Sequence, residues 1–175
     1  MDVFECIFRR RSVRSFLNRA VEDEKISKIL EAAIHAPSSG DLQNWLFILV
    51  RDRKKKLQLA EAALGQMWMT TADVIIAVCS KTSRVTMRYG ERGRLYAIQN
   101  CAAAIENMLL AATALGLGSC WVGAFDETAV KHILNIPPEI EVHALIPIGY
   151  PAEKTIKPRR LPLEEVVFFE EFGKK

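Results

Sequence analysis

The sequence has few cysteines and histidines, and none of them is spaced as a metal site requires. Its 175 residues include four cysteines and three histidines, and no two cysteines form a C-x-x-C pair. A zinc or other metal site is therefore not expected. Three of the four cysteines lie in apolar runs, so we interpret them as small buried side chains of a cytoplasmic protein in a reducing compartment.

Common nucleotide-binding and hydrolytic motifs are also missing. The sequence contains no G-x-G-x-x-G after a strand, no Walker A loop, no G-x-S-x-G and no H-E-x-x-H. Gly116 and Gly118 form half of a dinucleotide fingerprint, but they follow a helical pattern and fit a helix cap better. No pair of titratable residues suggests an acid and a base, so no catalytic side chain is predicted. A bound cofactor would have to supply the reactive atoms of any enzyme.

Long apolar runs and a large excess of charge are absent as well. The most apolar stretch, residues 95–117, contains Gln99, Asn100, Glu106 and Asn107, which favour a buried helix over a membrane span. No long apolar segment follows the basic residues near the start, so a secretory signal is not expected. The net charge of +3 does not indicate nucleic-acid binding, although it permits a local anion site.

The length and the apolar periodicity predict one domain with mixed secondary structure. Helices are predicted near residues 2–10, 23–36, 52–64, 96–115 and 127–134, and strands near 46–50, 74–79, 119–125 and 142–148. Because these elements do not follow a strict β-α-β order, an α+β fold with a mixed, mostly antiparallel sheet is predicted. Residues 81–94 are polar and are interpreted as a mobile loop or short insertion. Residues 166–169 are predicted to form a late strand that pairs with a distant sheet edge on this chain or another.

What the sequence does have is a basic box near its start, consisting of Arg9, Arg10, Arg11, Ser12 and Arg14. Guanidinium groups match phosphate with two parallel hydrogen bonds and keep their charge. If the segment is extended, the side chains at positions 10, 12 and 14 share one face and could converge on one anion. The box alone is equally compatible with a solvated basic surface.

A second polar segment, residues 36–45, lies about one helix downstream. It contains the turn-forming run Pro37, Ser38, Ser39, Gly40 and Asp41. Its hydroxyl groups and its glycine suit a ligand with many polar atoms that approaches the backbone closely. Taken alone, the segment could also be an ordinary loop between a helix and a strand.

Together these segments resemble the nitroreductase family of flavin-dependent oxidoreductases. The resemblance covers nearly the whole chain in the family's order and spacing, and it is carried by residues 10–16, 36–45, 102–112, 115–123 and 158–167. It implies a three-layer α-β-α sandwich and a homodimer with FMN bound at the subunit interface. Residues 1–150 would form the FMN-binding domain, and residues 151–175 a C-terminal arm exchanged between subunits.

The resemblance also implies a set of cofactor-binding residues. These are Arg10, Arg11, Ser12, Arg14, Pro37, Ser38, Ser39, Asp41, Gln66, Gly123, Arg159 and Arg160. Arg10 and Ser12 match phosphate ligands, whereas Arg11, like Arg9, could instead be surface. Arg14 matches a cation near flavin N1 and O2, where it would stabilise the reduced anionic ring. One of Arg159 and Arg160 would complete the phosphate site, and the sequence does not say which.

The remaining members of the set match the region around the flavin ring. The segment Pro37–Asp41 would reach the flavin from the other subunit, and a backbone amide near Gly123 would bond N5 or O4. Gln66 resembles a polar flavin contact. The chain departs from the family at Asp41, where Asn is usual, and at Asn44, where Pro is common. A carboxylate at position 41 would oppose flavin reduction unless a nearby arginine pairs with it.

The activity that the resemblance implies is hydride transfer from NAD(P)H through flavin N5 to an electron-poor acceptor, a nitroaromatic or a quinone, by a ping-pong mechanism. The alternatives are a specialised flavin enzyme of the same fold, for flavin destruction or dehalogenation, and a non-catalytic flavin-binding protein. No nucleic acid or membrane partner is expected. The arginines of residues 81–94 could attract the phosphate of a nicotinamide nucleotide or could simply be solvated.

Overall fold

The chain forms helices packed on both sides of one sheet. In a computed structural model, which describes residues 1–153 and 155–175, the helices are α1 (Val3–Arg9), α2 (Asp23–Ile34), α3 (Arg53–Ala62), α4 (Ser83–Tyr89), α5 (Arg92–Ala114), α6 (Glu127–Leu134) and α7 (Leu163–Val166). The strands are β1 (Trp45–Val50), β2 (Val74–Ser80), β3 (Gly118–Ser119) and β4 (Glu141–Gly149). No helix in this described part of the chain is long and apolar enough to cross a membrane.

The four strands form one antiparallel sheet in the order β1-β2-β4-β3. Strand β2 lies between β1 and β4, and each of its seven residues is buried. A strand covered on both faces has no need of polar residues on either face, which explains the continuous apolar run of β2. The sequence prediction of a mostly antiparallel sheet is thus confirmed.

Successive residues of β2 point to two different cores, which makes the fold three layers deep. Ile76 and Val78 pack with buried residues of α2 and α5 on one face. Ile75 and Ala77 pack with buried residues of α3 and α6 on the other face. Side chains of a strand alternate between faces, so one strand can hold both helical layers. The predicted α-β-α sandwich is confirmed.

The interpretation of residues 81–94 as a mobile loop was wrong. These residues form α4 and the first turn of α5, and α4 packs directly on α5. A methyl group built on Gly93 would lie 2.7 Å from Cα of Thr86, so only glycine allows the two helices to approach this closely. The segment is polar because most residues of α4 are exposed. For this reason its composition did not indicate that the helix packs on α5.

The predictions for two strands also need correction. The third strand was expected over residues 119–125, but β3 has two residues, after which only Val122 pairs with Leu145. The late strand expected at residues 166–169 is not formed within the single chain, and its first residue, Val166, ends the short helix α7 instead. Strand formation needs a partner edge, and within the described part of a single chain this segment has none. Position 154, in the predicted arm, lies outside the described residues.

An extended segment after α1 attaches the start of the chain to the end of the sheet. The amide of Val13 donates to the carbonyl of Ser119 at 2.9 Å, and the amide of Leu17 donates to the carbonyl of Tyr150 at 2.8 Å. The side chains of Val13 and Phe16 are buried. These contacts set the position of the basic box beside β3 and the end of β4.

The Tyr150 hydroxyl, just after β4, contacts two charged side chains at the start of α2. One is Glu22, the N-cap residue, and the other is Lys25, in the first turn. The hydroxyl donates to the carboxylate of Glu22 at 2.7 Å and accepts from Nζ of Lys25 at 2.7 Å. The hydrogen bond from Tyr150 is the main cause that lowers the pKa of Glu22 to about 2. A carboxylate with a depressed pKa stabilises the fold above its unfolded pKa, and this contribution is lost as pH falls toward 2.

We therefore expect the Tyr150→Phe variant to show a weaker acid dependence of stability than the wild type. Its Glu22 pKa should return toward the ordinary value, so less stability remains to be lost between pH 4.5 and pH 2. Urea unfolding at pH 7 and at several pH values below 5 measures this difference. Tyr96→Phe is the matched control, since the Tyr96 hydroxyl accepts from Arg92. Equal acid dependence in wild type and Tyr150→Phe would contradict the assignment.

Candidate functional site

A cavity of about 490 Å³ opens where the extended segment after α1 meets the C-terminal arm. Its lining residues are Arg10, Arg11, Ser12, Arg14, Glu153, Thr155, Ile156, Pro158 and Arg160. Five of the residues singled out in the sequence therefore meet around one cavity. The arm offers two candidate arginines. Arg160 is among the described residues that line the cavity, and Arg159 is not.

Local backbone geometry directs the basic side chains into this cavity. Helix α1 ends at Arg9, and the backbone of its C-cap residue Arg10 has already left the helical region, with φ −54° and ψ 130°. Beyond it, Val13 points into the core while Ser12 and Arg14 remain exposed. This alternation is the period of an extended strand, and it places positions 12 and 14 on one face as the sequence predicted.

The cavity carries a surplus of positive charge. Nε of Arg10 lies 3.7 Å from the Glu106 carboxylate, a long and partly exposed ion pair. The Arg14 guanidinium lies 5.8 Å from the centre of the Trp68 ring, and no carboxylate in the described part of the chain pairs with it. Glu153 is the acidic residue of the lining, and its carboxylate accepts from the backbone amide of Arg14 at 3.0 Å. Several guanidinium groups and one hydroxyl suit a phosphate dianion.

The other two arginines of the box have local partners. Arg9 forms an exposed ion pair with Glu5 at 2.8 Å on the surface of α1. The Arg11 guanidinium donates to the carbonyls of Phe8 at 2.7 Å and Arg10 at 2.6 Å. Arg11 therefore lines the cavity, but its guanidinium donates hydrogen bonds to backbone carbonyls at the end of α1.

Cys120 is a neighbour of the cavity that the sequence analysis did not single out. It follows Ser119, the residue that pairs with Ser12. Burial raises the pKa of its thiol, and the nearby Arg14 and a hydrogen bond from Ser12 oppose that rise. The thiol is thus protonated at neutral pH and is buried behind Ser12 rather than exposed in the cavity.

The other three cysteines, Cys6, Cys79 and Cys101, are free and buried. Burial raises the pKa values of Cys79 and Cys101 to about 12. Within residues 1–153 and 155–175, no group of three or more His, Cys, Asp or Glu side chains is arranged to hold a metal ion.

Gln66 and Gly123 come together near the end of β3. The Gln66 side chain donates to the carbonyl of Ala124, the residue after Gly123, at 3.3 Å. Gly123 is exposed and lies four residues beyond Ser119, which pairs with Ser12. An extended chain of four residues spans at most about 14 Å. Gly123 therefore lies within about 14 Å of Ser119, but neither Gln66 nor Gly123 is among the residues that line the basic cavity.

The turn at residues 37–41 does not line this cavity within one chain. Pro37 and Asp41 are exposed, and Ser38 and Ser39 are half-buried. The Asp41 carboxylate accepts from the side-chain amide of Gln43 at 2.8 Å. Among the described residues no arginine pairs with Asp41, which was one option from the sequence.

Two buried asparagines hold this turn in place. Oδ1 of Asn100 accepts from the amide of Ser39 at 2.9 Å, and Nδ2 of Asn100 donates to Oδ1 of Asn44 at 2.7 Å. Nδ2 of Asn44 donates in turn to the carbonyl of Ala97 at 3.2 Å. Buried amides need such partners, so the pair fixes Ser39 against α5. Sequence reasoning missed this role, although two asparagines beside apolar residues were a usable signal.

The fold and the cavity define the chain as an α+β protein with a cationic cavity at its sheet edge, and comparison with known proteins identifies its family. The sequence pattern of the nitroreductase family matches residues 7–73 and 66–150. An Archaeoglobus fulgidus protein provisionally named NADH dehydrogenase/NAD(P)H nitroreductase is 39% identical over 158 residues, which is 87% of each chain. The chain belongs to the nitroreductase family, as its sequence motifs predicted.

Solved structures agree with this assignment. A Bacteroides thetaiotaomicron protein with the same provisional name superposes with a TM-score of 0.86 and 34% identity, over 97% of this chain and 98% of that one. The NADPH:FMN oxidoreductase of Vibrio harveyi, solved in complex with NAD+, gives a TM-score of 0.89 and 25% identity, over 99% of this chain and 79% of that one.

The asparagine pair makes a stability prediction. We expect Asn100→Ala to destabilise the protein by about 1–3 kcal/mol, because the Ser39 amide and the Asn44 carbonyl lose buried partners. The control is Gln99→Ala, which removes an exposed amide from the adjacent position of α5 and should change stability by less than about 0.5 kcal/mol. Denaturant unfolding measures both values, and similar values for the two variants would contradict the role assigned to Asn100.

Proposed function

We propose that the protein is an FMN-dependent oxidoreductase that takes hydride from NAD(P)H and reduces small electron-poor acceptors. The observation that carries this proposal is the convergence of Arg10, Ser12, Arg14 and Arg160 on one cavity at the edge of a nitroreductase fold. The name of the Vibrio harveyi relative, an NADPH:FMN oxidoreductase, supports the same chemistry.

The phosphate of FMN would bind among Arg10, Ser12 and Arg160. Guanidinium donors and a hydroxyl satisfy phosphate oxygens, and the shallow cavity leaves the ligand within reach of water at its outer edge. Arg160 is favoured over Arg159 because it lines the cavity. Glu153 holds the Arg14 backbone and thereby positions the neighbouring donors.

The ring of FMN would lie toward Arg14, Gln66 and Gly123. FMN held there would supply the redox chemistry, hydride uptake from a nicotinamide nucleotide and electron transfer to an acceptor. The Arg14 guanidinium, without a carboxylate partner in the described part of the chain, would favour the negative charge of a reduced ring. The exposed backbone at Gly123 offers an amide to the ring edge.

The protein would act as a homodimer, in which the Pro37–Asp41 turn reaches the partner's flavin. Two exposed apolar surfaces support this arrangement. One is the outer face of α1, with Val3, Phe4, Ile7 and Phe8, each 46–66% exposed. The other is the arm, where Ile156 is 91% and Phe172 is 94% exposed. Apolar surface of this extent is typical of a subunit interface.

A single open site shared by donor and acceptor favours a ping-pong mechanism. Because the cavity offers positive charge and hydrogen-bond donors but no acid–base pair, its residues would orient ligands and stabilise charge. Nitroaromatics and quinones need no proton-transfer residue of the protein before accepting electrons. This supports electron-poor acceptors as the substrate class.

The first test concerns the cofactor. The purified protein should show flavin absorbance, and Arg10→Ala should weaken FMN binding by about 1.5–3 kcal/mol, roughly 10- to 150-fold, because a charge-assisted phosphate contact is lost. The matched control is Arg9→Ala, which removes the neighbouring arginine that pairs with Glu5 on the surface. Its FMN affinity should stay within twofold of wild type. Equal FMN affinity for both variants would rule out the proposed phosphate site.

The second test concerns assembly and reduction. Sedimentation of the FMN-loaded protein should give a dimer, and stopped-flow mixing with NADH or NADPH should bleach the flavin within the turnover time. Subsequent addition of a quinone should restore the colour. An FMN-loaded monomer would refute the shared site, and a flavin that neither nucleotide bleaches would refute the reductase activity.

A further inference from the structure

The exposed surface beside the Ser39–Asp41 turn carries a group of arginine and tyrosine side chains, which we name the α4 basic patch. It consists of Arg88, Tyr89, Arg92 and Tyr96. The rings of Tyr89 and Tyr96 meet edge to face, with centroids 5.3 Å apart. Arg88 lies 5.7 Å from the centroid of the Tyr89 ring, and Arg92 lies 5.5 Å from that of Tyr96. The four side chains therefore form one continuous surface.

The patch is fixed to the turn by direct contact. A methyl group built on Gly40 would lie 2.6 Å from the Tyr89 hydroxyl oxygen and 3.3 Å from the guanidinium carbon of Arg88. Arg84, one turn earlier on α4, donates to the backbone carbonyl of Gln43 at 3.1 Å. A side chain at position 40 would push Tyr89 and Arg88 away from the turn, and the φ of +55° at this position also favours glycine. The patch and the turn thus form one structural unit.

The positive charge of this unit is concentrated and mostly uncompensated. Residues 81–96 contain five of the chain's 24 lysines and arginines but only one of its 21 acidic residues, whereas the whole chain has a net charge of +3. That acidic residue, Glu91, pairs with Arg94 at 3.1 Å. Within the described residues no carboxylate lies within ion-pair distance of Arg88 or Arg92.

We propose that the α4 basic patch binds the phosphate groups of the nicotinamide nucleotide that reduces the flavin. The inference rests on the proposed function, in which the adjoining turn lies against the partner's flavin. A dinucleotide whose nicotinamide ring stacks on that flavin must extend its phosphates over the neighbouring protein surface, and this surface is the patch.

The chemistry of the patch suits that ligand. Arg88 and Arg92 are exposed and present planar guanidinium forks that match phosphate oxygens. Tyr89 and Tyr96 are half-buried, which holds each arginine near a fixed ring and lowers the entropy cost of binding. A tyrosine ring can also stack on an adenine. The surplus charge would speed the encounter with an anionic nucleotide.

The experiment compares Arg88→Gln, Arg92→Gln and the double variant with wild type, all as purified FMN-loaded protein. The control is Arg53→Gln, which removes an exposed arginine from the first turn of α3. Arg84 is left unchanged because its loss would release the turn. Two readouts are taken: KM for NADPH and NADH, and calorimetric binding of adenosine 2′,5′-bisphosphate, a probe that cannot reduce flavin.

We expect the double variant to raise the KM for NADPH by about tenfold or more and to weaken the bisphosphate by a similar factor. Added salt should raise the wild-type KM more steeply than that of the double variant. The Arg53→Gln control should behave as wild type. A matching rise of KM for NADH would assign the pyrophosphate to the patch, and a rise for NADPH alone would assign the 2′-phosphate.

Unchanged KM values and unchanged bisphosphate affinity in the double variant would overturn the proposal. So would salt-sensitive binding of an oligonucleotide that the double variant loses while its nucleotide KM stays at the wild-type value. FMN absorbance of each sample separates this test from that of the proposed function. A wild-type protein without flavin refutes the oxidoreductase, whereas flavin-loaded variants with unaltered nucleotide kinetics refute only the role of the patch.

Discussion

The attachment of the segment after α1 to the end of the sheet is the contact on which the site depends. Val13 bonds to Ser119 on β3, and Leu17 bonds to Tyr150 at the end of β4. The amide of Ala152 then donates to the carbonyl of Ser15 at 2.9 Å, so the start of the arm is held by the same segment. Three distant parts of the chain thereby surround one volume. A basic run that would otherwise be solvated becomes the wall of a cavity.

The position of the turn at residues 37–41 depends on buried polar groups. Asn44 and Asn100 are 1% and 5% exposed, yet their hydrogen bonds are satisfied by each other and by nearby backbone and side chains. A buried amide pair of this kind admits few alternative arrangements, because any shift leaves donors or acceptors unpaired. Ser39 is held by this pair, and the position of the turn relative to α5 is therefore well defined. Apolar packing alone would tolerate more movement.

Sequence reasoning succeeded where local pattern and burial agree. The helix at 127–134 and the strand at 74–79 were predicted within a residue, because their apolar periodicity matches the faces they bury. It failed at α4, because the close contact between α4 and α5 is made by the backbone at Gly93. The sequence of α4 has no apolar stripe that would indicate its buried face. The strand predicted at residues 166–169 is not formed within the single chain, and its pairing with another chain stays a prediction, since strand formation depends on a partner edge that the segment itself does not encode.

In the candidate site, too, features set by local sequence were predictable and features set by distant contacts were not. The sequence indicated that positions 10, 12 and 14 share one face if the segment is extended, and the structure shows this alternation around the buried Val13. The choice between Arg159 and Arg160 could not be made from sequence, because it depends on how the arm turns after Pro158. Glu153 and Cys120 border the site through contacts made across more than a hundred residues, which no local pattern reveals.

The way α4 is anchored has a consequence for how this protein can change over generations. The helix is held by Val85, which is fully buried, and by the backbone contact at Gly93. Met87 is 88% exposed, so it contributes little to the packing of this helix. Substitutions at this position should cost the fold little. The outermost side chain of α4 can therefore vary without rebuilding the core, whereas Tyr89 stays tied to the turn through its contact with Gly40.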